Sequence, residues 1–118
     1  MNRNIELLEQ TMQHIEDHPE QHYQQVWVSD RVLNCGTVAC FAGWGALLSG
    51  MSVDEVHDAA EKGLMHTVGA GLFGLSENEA FDLFYSHNSP DVLRLMVRDL
   101  VNGDPLRDPY VYRQAVHA

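Results

Sequence analysis

The sequence predicts an all-α fold: a single compact bundle of about five to seven helices around a buried central helix at residues 37–49. Three observations predict it. Apolar residues recur at spacings of three and four in most segments, whereas strand-like alternation is confined to Val26-Trp27-Val28. Serine-led helix starts punctuate the chain at Ser52, Ser76 and Ser89. Val32 to Val53 runs for 22 residues without a charge.

Taken in order, residues 4–17 carry Ile5, Leu8, Met12 and Ile15 on one helical face. Pro19 stops that helix, because the residue before a proline is pushed out of the helical region. Pro19 also suits the first position of a short second helix reaching Gln25, with Glu20 favourable near its start. Val26-Trp27-Val28 is too short to imply a sheet. The central helix at Thr37–Ser49 has faces that differ in size rather than polarity. Ala39, Ala42, Gly43, Ala46 and Gly50 form a small-residue stripe, while Val38, Phe41, Trp44, Leu47 and Leu48 supply bulk. A helix that is apolar all round is buried. The uncharged run is long enough for a membrane span. Its four glycines, its Asn34, Thr37 and two serines, and the short dense part Val38–Leu48, favour a core helix instead.

Ser52-Val-Asp-Glu55 and Ser76-Glu-Asn-Glu79 are capping boxes, in which Ser and Glu side chains each satisfy a free backbone N–H. The first opens a helix with Val53, Val56, Ala60 and Leu64 inward. The second opens one with Ala80, Leu83 and Phe84 inward. Ser89-Pro90-Asp91 starts a third, with Val92, Leu93, Met96 and Leu100 inward and Gly103 closing it. Asp108-Pro109 starts a final short helix. The 118 residues then form one domain, 1–118, without a linker or repeat.

Charge limits the function classes. Seventeen acids against seven bases give a net charge of −10, and Lys62 is the only lysine. Such a chain repels phosphate, so no nucleic-acid partner is expected. Asp54, Glu55, Asp58, Glu61, Glu77 and Asp82 form a candidate acidic interaction face for a basic partner, or one that mimics nucleic acid. Met1–Glu20 has no basic-then-apolar leader pattern, so a cytoplasmic location, away from any membrane, is expected.

Four motifs in the sequence bear on chemistry. Gly69-Ala-Gly71-Leu-Phe-Gly74 matches a dinucleotide fingerprint, but that motif needs a preceding strand. It reads instead as a helix-to-helix connection. Cys35 and Cys40, the only cysteines, would need two further ligands for zinc, and none is suitably spaced. Asp54-x-x-His57 is half of a di-iron motif without its second half. Neither a metal nor another cofactor is expected. Cys35 stands at a helix start, where a thiol is acidified. A Cys35–Cys40 disulfide would require an irregular first turn, and Cys40 reads as a small core residue. Arg94 and Arg98 could suggest helix-turn-helix DNA binding, but read better as a solvated face paired with Asp91 and Asp99.

His18-Pro19-Glu20, Gln25, Trp27 and then Cys35-Gly36-Thr37-x-x-Cys40-x-Ala42-Gly43-Trp44 resemble a group of small uncharacterised proteins of actinobacteria and their phages. Gly74-Leu75, Glu79-Ala80 and Leu83-Phe84 extend the resemblance, which spans roughly residues 15–85. The Cys-Gly-Thr-x-x-Cys-x-Ala-Gly segment, with Cys35, Gly36, Thr37 and Cys40, is its specific part. The resemblance implies a phage or actinobacterial setting and no particular reaction.

No catalytic set is complete. The leading expectation is therefore a non-enzymatic, phage-encoded interaction protein that binds a host or phage protein. The small-residue stripe also allows a homo-oligomer. A thiol-dependent enzyme or redox sensor using Cys35 and Cys40, and an acidic DNA-mimic regulator, are the alternatives.

Overall fold

Asn4 begins the first helix, α1 (Ile5–Asp17), by accepting the Leu7 N–H on its side chain at 3.1 Å. The computed structural model, which describes residues 2–29 and 37–117, then proceeds almost entirely in helices. After a single 3-10 turn at Pro19–Gln21 come two short strands, β1 (Val28–Ser29) and β2 (Val38–Ala39). Six helices follow: α2 (Phe41–Leu48), α3 (Val53–Glu61), α4 (Met65–Phe73), α5 (Glu77–Leu83), α6 (Pro90–Val101) and α7 (Pro109–His117). The all-α bundle expected from periodicity is the observed fold. Among the described residues no helix is long and apolar enough to cross a membrane.

The helix starts follow local chemistry. Both capping boxes form: Ser52 and Glu55, and Ser76 and Glu79, exchange hydrogen bonds of 3.0–3.1 Å. Ser89 accepts the Val92 N–H, and Pro90 occupies the first turn. Burial follows the expected stripes with shifts. Leu7 is buried on α1 whereas Ile5 is exposed, and on α3 Val56 and Ala59 are buried while Leu64 lies outside the helix and is exposed. Arg94 pairs with Asp91, as expected, and also with Glu16 of α1. Asp99 is instead held by α7 and the turn before it. The fully buried Tyr112 donates its O–H to Asp99 at 2.7 Å and accepts the Arg107 N–H.

The central helix is shorter than expected and starts at Phe41, not Thr37. Val38 and Ala39 pair antiparallel with Ser29 and Val28, so their backbone groups are used by a sheet before the helix begins. Cys40 is the N-cap, its sulfur accepting the Gly43 N–H at 3.4 Å. Cys35 and Gly36 lie outside the described residues. α2 packs against α1 and α4, which also touch each other, α5 packs against α4, and α6 packs against α1 and α7. All described helices feed one hydrophobic core.

The small-residue stripe is used inside the chain. Ala39, Ala42 and Ala46 are fully buried. A Cβ on Gly43 would overlap the Trp27 carbonyl oxygen, and one on Gly45 would strike the Phe73 ring. Four of the five stripe residues, Ala39, Ala42, Gly43 and Ala46, are thus buried within the chain, and Gly50 is exposed beyond the end of α2.

The segment expected to be a connection at Gly69–Gly74 is also mostly helix. Residues 69–73 belong to α4, and Gly74 ends it in the left-handed region at φ 68°. Gly69 earns its place by proximity: a Cβ there would sit 2.6 Å from the Phe84 ring. The dinucleotide reading thus lacks its loop as well as its strand.

Candidate functional site

The site lies where the segment Gln24–Trp27 faces the end of α5 and the residues after it. Gln24, buried, fixes the two together. Its side-chain oxygen, Oε1, accepts the Phe41 N–H at 3.1 Å, and its side-chain Nε2 donates to the backbone carbonyls of Leu83 and Tyr85 at 3.4 and 3.2 Å. With the amide oriented this way, its oxygen faces His22 Nε2 at 2.8 Å, so that ring nitrogen must carry a proton. Burial lowers the His22 pKa, against the opposing pull of this hydrogen bond.

Beside this link is a groove of about 310 Å³ lined by Gln24, Gln25, Val26 and Trp27, by Cys40 and His66, and by Phe81, Phe84, Tyr85 and Ser86. Its walls are aromatic. Trp27 stands at 85° to both His66 and Phe84, with ring centres 5.1 and 6.4 Å apart. Phe81 stacks on His66 at 5.8 Å. Phe81 is nonetheless 64% exposed. Fully burying a phenylalanine contributes about 1.5–3 kcal/mol, most of which folding forgoes here. Among the described residues, no Asp, Glu, Lys or Arg lines the groove. Its volume is at the lower end of small-molecule sites, which run from roughly 300 to 1,000 Å³.

Cys40 borders the groove but is 1% exposed. Burial pushes its thiol up to about 11, against the opposing backbone N–H groups of Gly43 and Ala42. It is a free thiol held in the protonated form at neutral pH. The expectation that it is a small core residue holds. The Cys35 thiol and a Cys35–Cys40 disulfide fall outside the described residues, and Thr37 precedes β2 rather than opening a helix. Among the described residues, no group of three His, Cys, Asp or Glu side chains could hold a metal ion.

The six acids divide between two helices. Asp54, Glu55, Asp58 and Glu61 are on α3, Glu77 and Asp82 on α5, and α4 packs against both helices. Glu55 is occupied in its capping box, and Asp58 pairs with Lys62 at 2.8 Å. Asp82 is partly buried; that burial and the nearby Asp108 charge raise its pKa, against the pull of Arg113.

Sequence reasoning missed Gln24, His66 and Phe81. The available signal was Phe81, an aromatic outside the inward register of Ala80, Leu83 and Phe84. No protein-family model, curated protein or solved structure matches the chain. The groove must be interpreted from its own chemistry.

Proposed function

We propose that the chain is a non-catalytic binding protein whose aromatic groove docks a basic partner protein. One observation carries this: Phe81 is largely exposed while it stacks on His66 at the mouth of a groove walled by Trp27, Phe84 and Tyr85. Exposed aromatic anchors beside a preformed cleft are the usual centres of protein interfaces. The net charge of −10 favours encounter with a basic surface. A buried, protonated Cys40 gives no support to thiol chemistry at that position. Acids divided between α3 and α5, some already engaged, give little support to a continuous nucleic-acid mimic. The phage or actinobacterial and cytoplasmic setting implied by the Cys35–Gly43 segment belongs to the same proposal.

The test is affinity capture with the full chain and its Phe81→Ala variant. A basic protein retained by the first and lost by the second is expected. Identical retention by both would refute docking at the groove.

A further inference from the structure

We infer that the groove recognises a cation, and that its occupant is an arginine side chain of the basic partner. This rests on the docking reading above and goes further, since an aromatic groove could equally hold an apolar anchor.

Four features of the groove converge on a guanidinium. First, its rings do not form one flat stack. Trp27 is perpendicular to His66 and Phe84, while Phe81 lies nearly parallel to His66. Walls in several orientations can offer ring faces and edges around one inserted group, and ring faces attract cations. Second, the same surface already uses this interaction. The Arg113 guanidinium carbon sits 5.0 Å from the centre of the Tyr85 ring, and Tyr85 is itself a groove residue. Third, the local charge balance is negative. Glu77 is one helical turn before Phe81 on the exposed side of α5, and Asp82 and Asp108 outnumber Arg113 nearby. Fourth, Gln25 and Ser86 are among the lining residues, and a side-chain amide oxygen and a hydroxyl are both acceptors for guanidinium N–H groups, although Gln25 Oε1 also accepts the Tyr23 O–H at 3.5 Å.

Arginine fits this set better than lysine. Its planar, weakly hydrated fork stacks on rings and spreads its donors over several acceptors, whereas an ammonium is a compact, strongly hydrated charge. A second copy of the chain is a poor source of the arginine. It carries the same −10 charge, Arg3, Arg94 and Arg107 are each paired with a carboxylate, and Arg113 lies over Tyr85, which leaves Arg98 among the described arginines.

The experiment uses the full, isotopically labelled chain and four short capped peptides. They share a glycine-serine frame and differ at one position: arginine, lysine, citrulline or norleucine. Binding is followed by NMR. Shifts are expected at the Trp27 indole and along 24–27 and 81–86 with the arginine peptide. Citrulline, which keeps the shape but loses the charge, should bind about two- to thirty-fold more weakly, the range of cation–π contacts between exposed and desolvated settings. Phe81→Ala should weaken the arginine peptide similarly, and Arg113→Gln, which removes the resident cation, should strengthen it. Norleucine or citrulline binding as tightly as arginine would overturn the cation assignment and leave docking at the groove standing. Arginine-peptide shifts away from the groove, or none, would also overturn it. Docking itself fails only if capture is independent of Phe81.

Discussion

Gly43→Ala tests the packing on which both the fold and the groove depend. The substitution favours the helix locally, since Ala exceeds Gly by about 1 kcal/mol inside a helix. Against this, the new methyl meets the Trp27 carbonyl oxygen and would approach the Ala39 methyl to 2.9 Å. A backbone carbonyl cannot rotate away as a side chain can, so the strand segment must move. Overpacking of this kind costs about 1–3 kcal/mol. Moving the segment also strains two hydrogen bonds that tie it down, Cys40 N–H to Val26 at 2.9 Å and Tyr23 N–H to Ala39 at 3.0 Å. At about 1 kcal/mol each they bring the total cost to about 3–5 kcal/mol, and the net loss to about 2–4 kcal/mol. For a domain of this size that is a fall in Tm of about 8–15 °C. Gly71→Ala is the control. Gly71 lies in α4 with nothing within 4 Å of an added Cβ, so it should be stabilised by up to about 1 kcal/mol. Thermal and urea unfolding of both variants decide the matter. A Gly43→Ala chain within about 0.5 kcal/mol of wild type, the ordinary range of surface substitutions, would refute the argued close approach.

Two further outcomes follow from titration. Burial would push the Glu79 carboxyl up, but the Ser76 backbone N–H and the Arg3 guanidinium at 2.7 Å outweigh it and hold it below its usual 4.5. A depressed folded pKa gives stability that is present above the unfolded value and lost as pH falls through the folded one. The stability difference between wild type and Glu79→Gln should therefore be largest near neutral pH and shrink below about pH 4.5, as followed by urea midpoints; a pH-independent difference would contradict the pairing. In a Cys35→Ser background, Cys40 should resist iodoacetamide near neutral pH and label fully once unfolded, because its native thiol is pushed up to about 11. Rapid labelling of the native chain would reopen the thiol-dependent reading.

What was legible in the sequence depended on range. The starts at Ser52, Ser76 and Ser89 were readable because a cap is made within four residues. α4 was not. Three glycines within Gly69–Gly74 argue for a loop on propensity, and tertiary packing overrides them, since Gly69 lets the helix close against Phe84. The central helix lost its first residues to a pairing between Val28–Ser29 and Val38–Ala39, a contact across residues that carry no local signature for it. The groove is the extreme case. Gln24 meets Leu83 and Tyr85 across about sixty positions, which no periodicity encodes. Phe81 alone was visible, as an aromatic pointing away from its helix's buried register.

These differences in range decide which residue can report on function. Gln24 and Trp27 line the groove, but Gln24 also satisfies the Phe41 N–H and two carbonyls, and the Trp27 backbone lies against Gly43. Altering either would disturb the fold and the site together, so lost binding would be ambiguous. His66 is shared similarly among Trp27, Phe81 and Phe84. Phe81 differs because most of its ring is in solvent and its removal leaves the buried face of α5, Ala80 and Leu83, untouched. Its truncation should cost the fold well under the 3–5 kcal/mol of a buried Phe→Ala change. A binding loss in Phe81→Ala with stability nearly intact therefore locates recognition at the groove, because the residue contributes little to anything else.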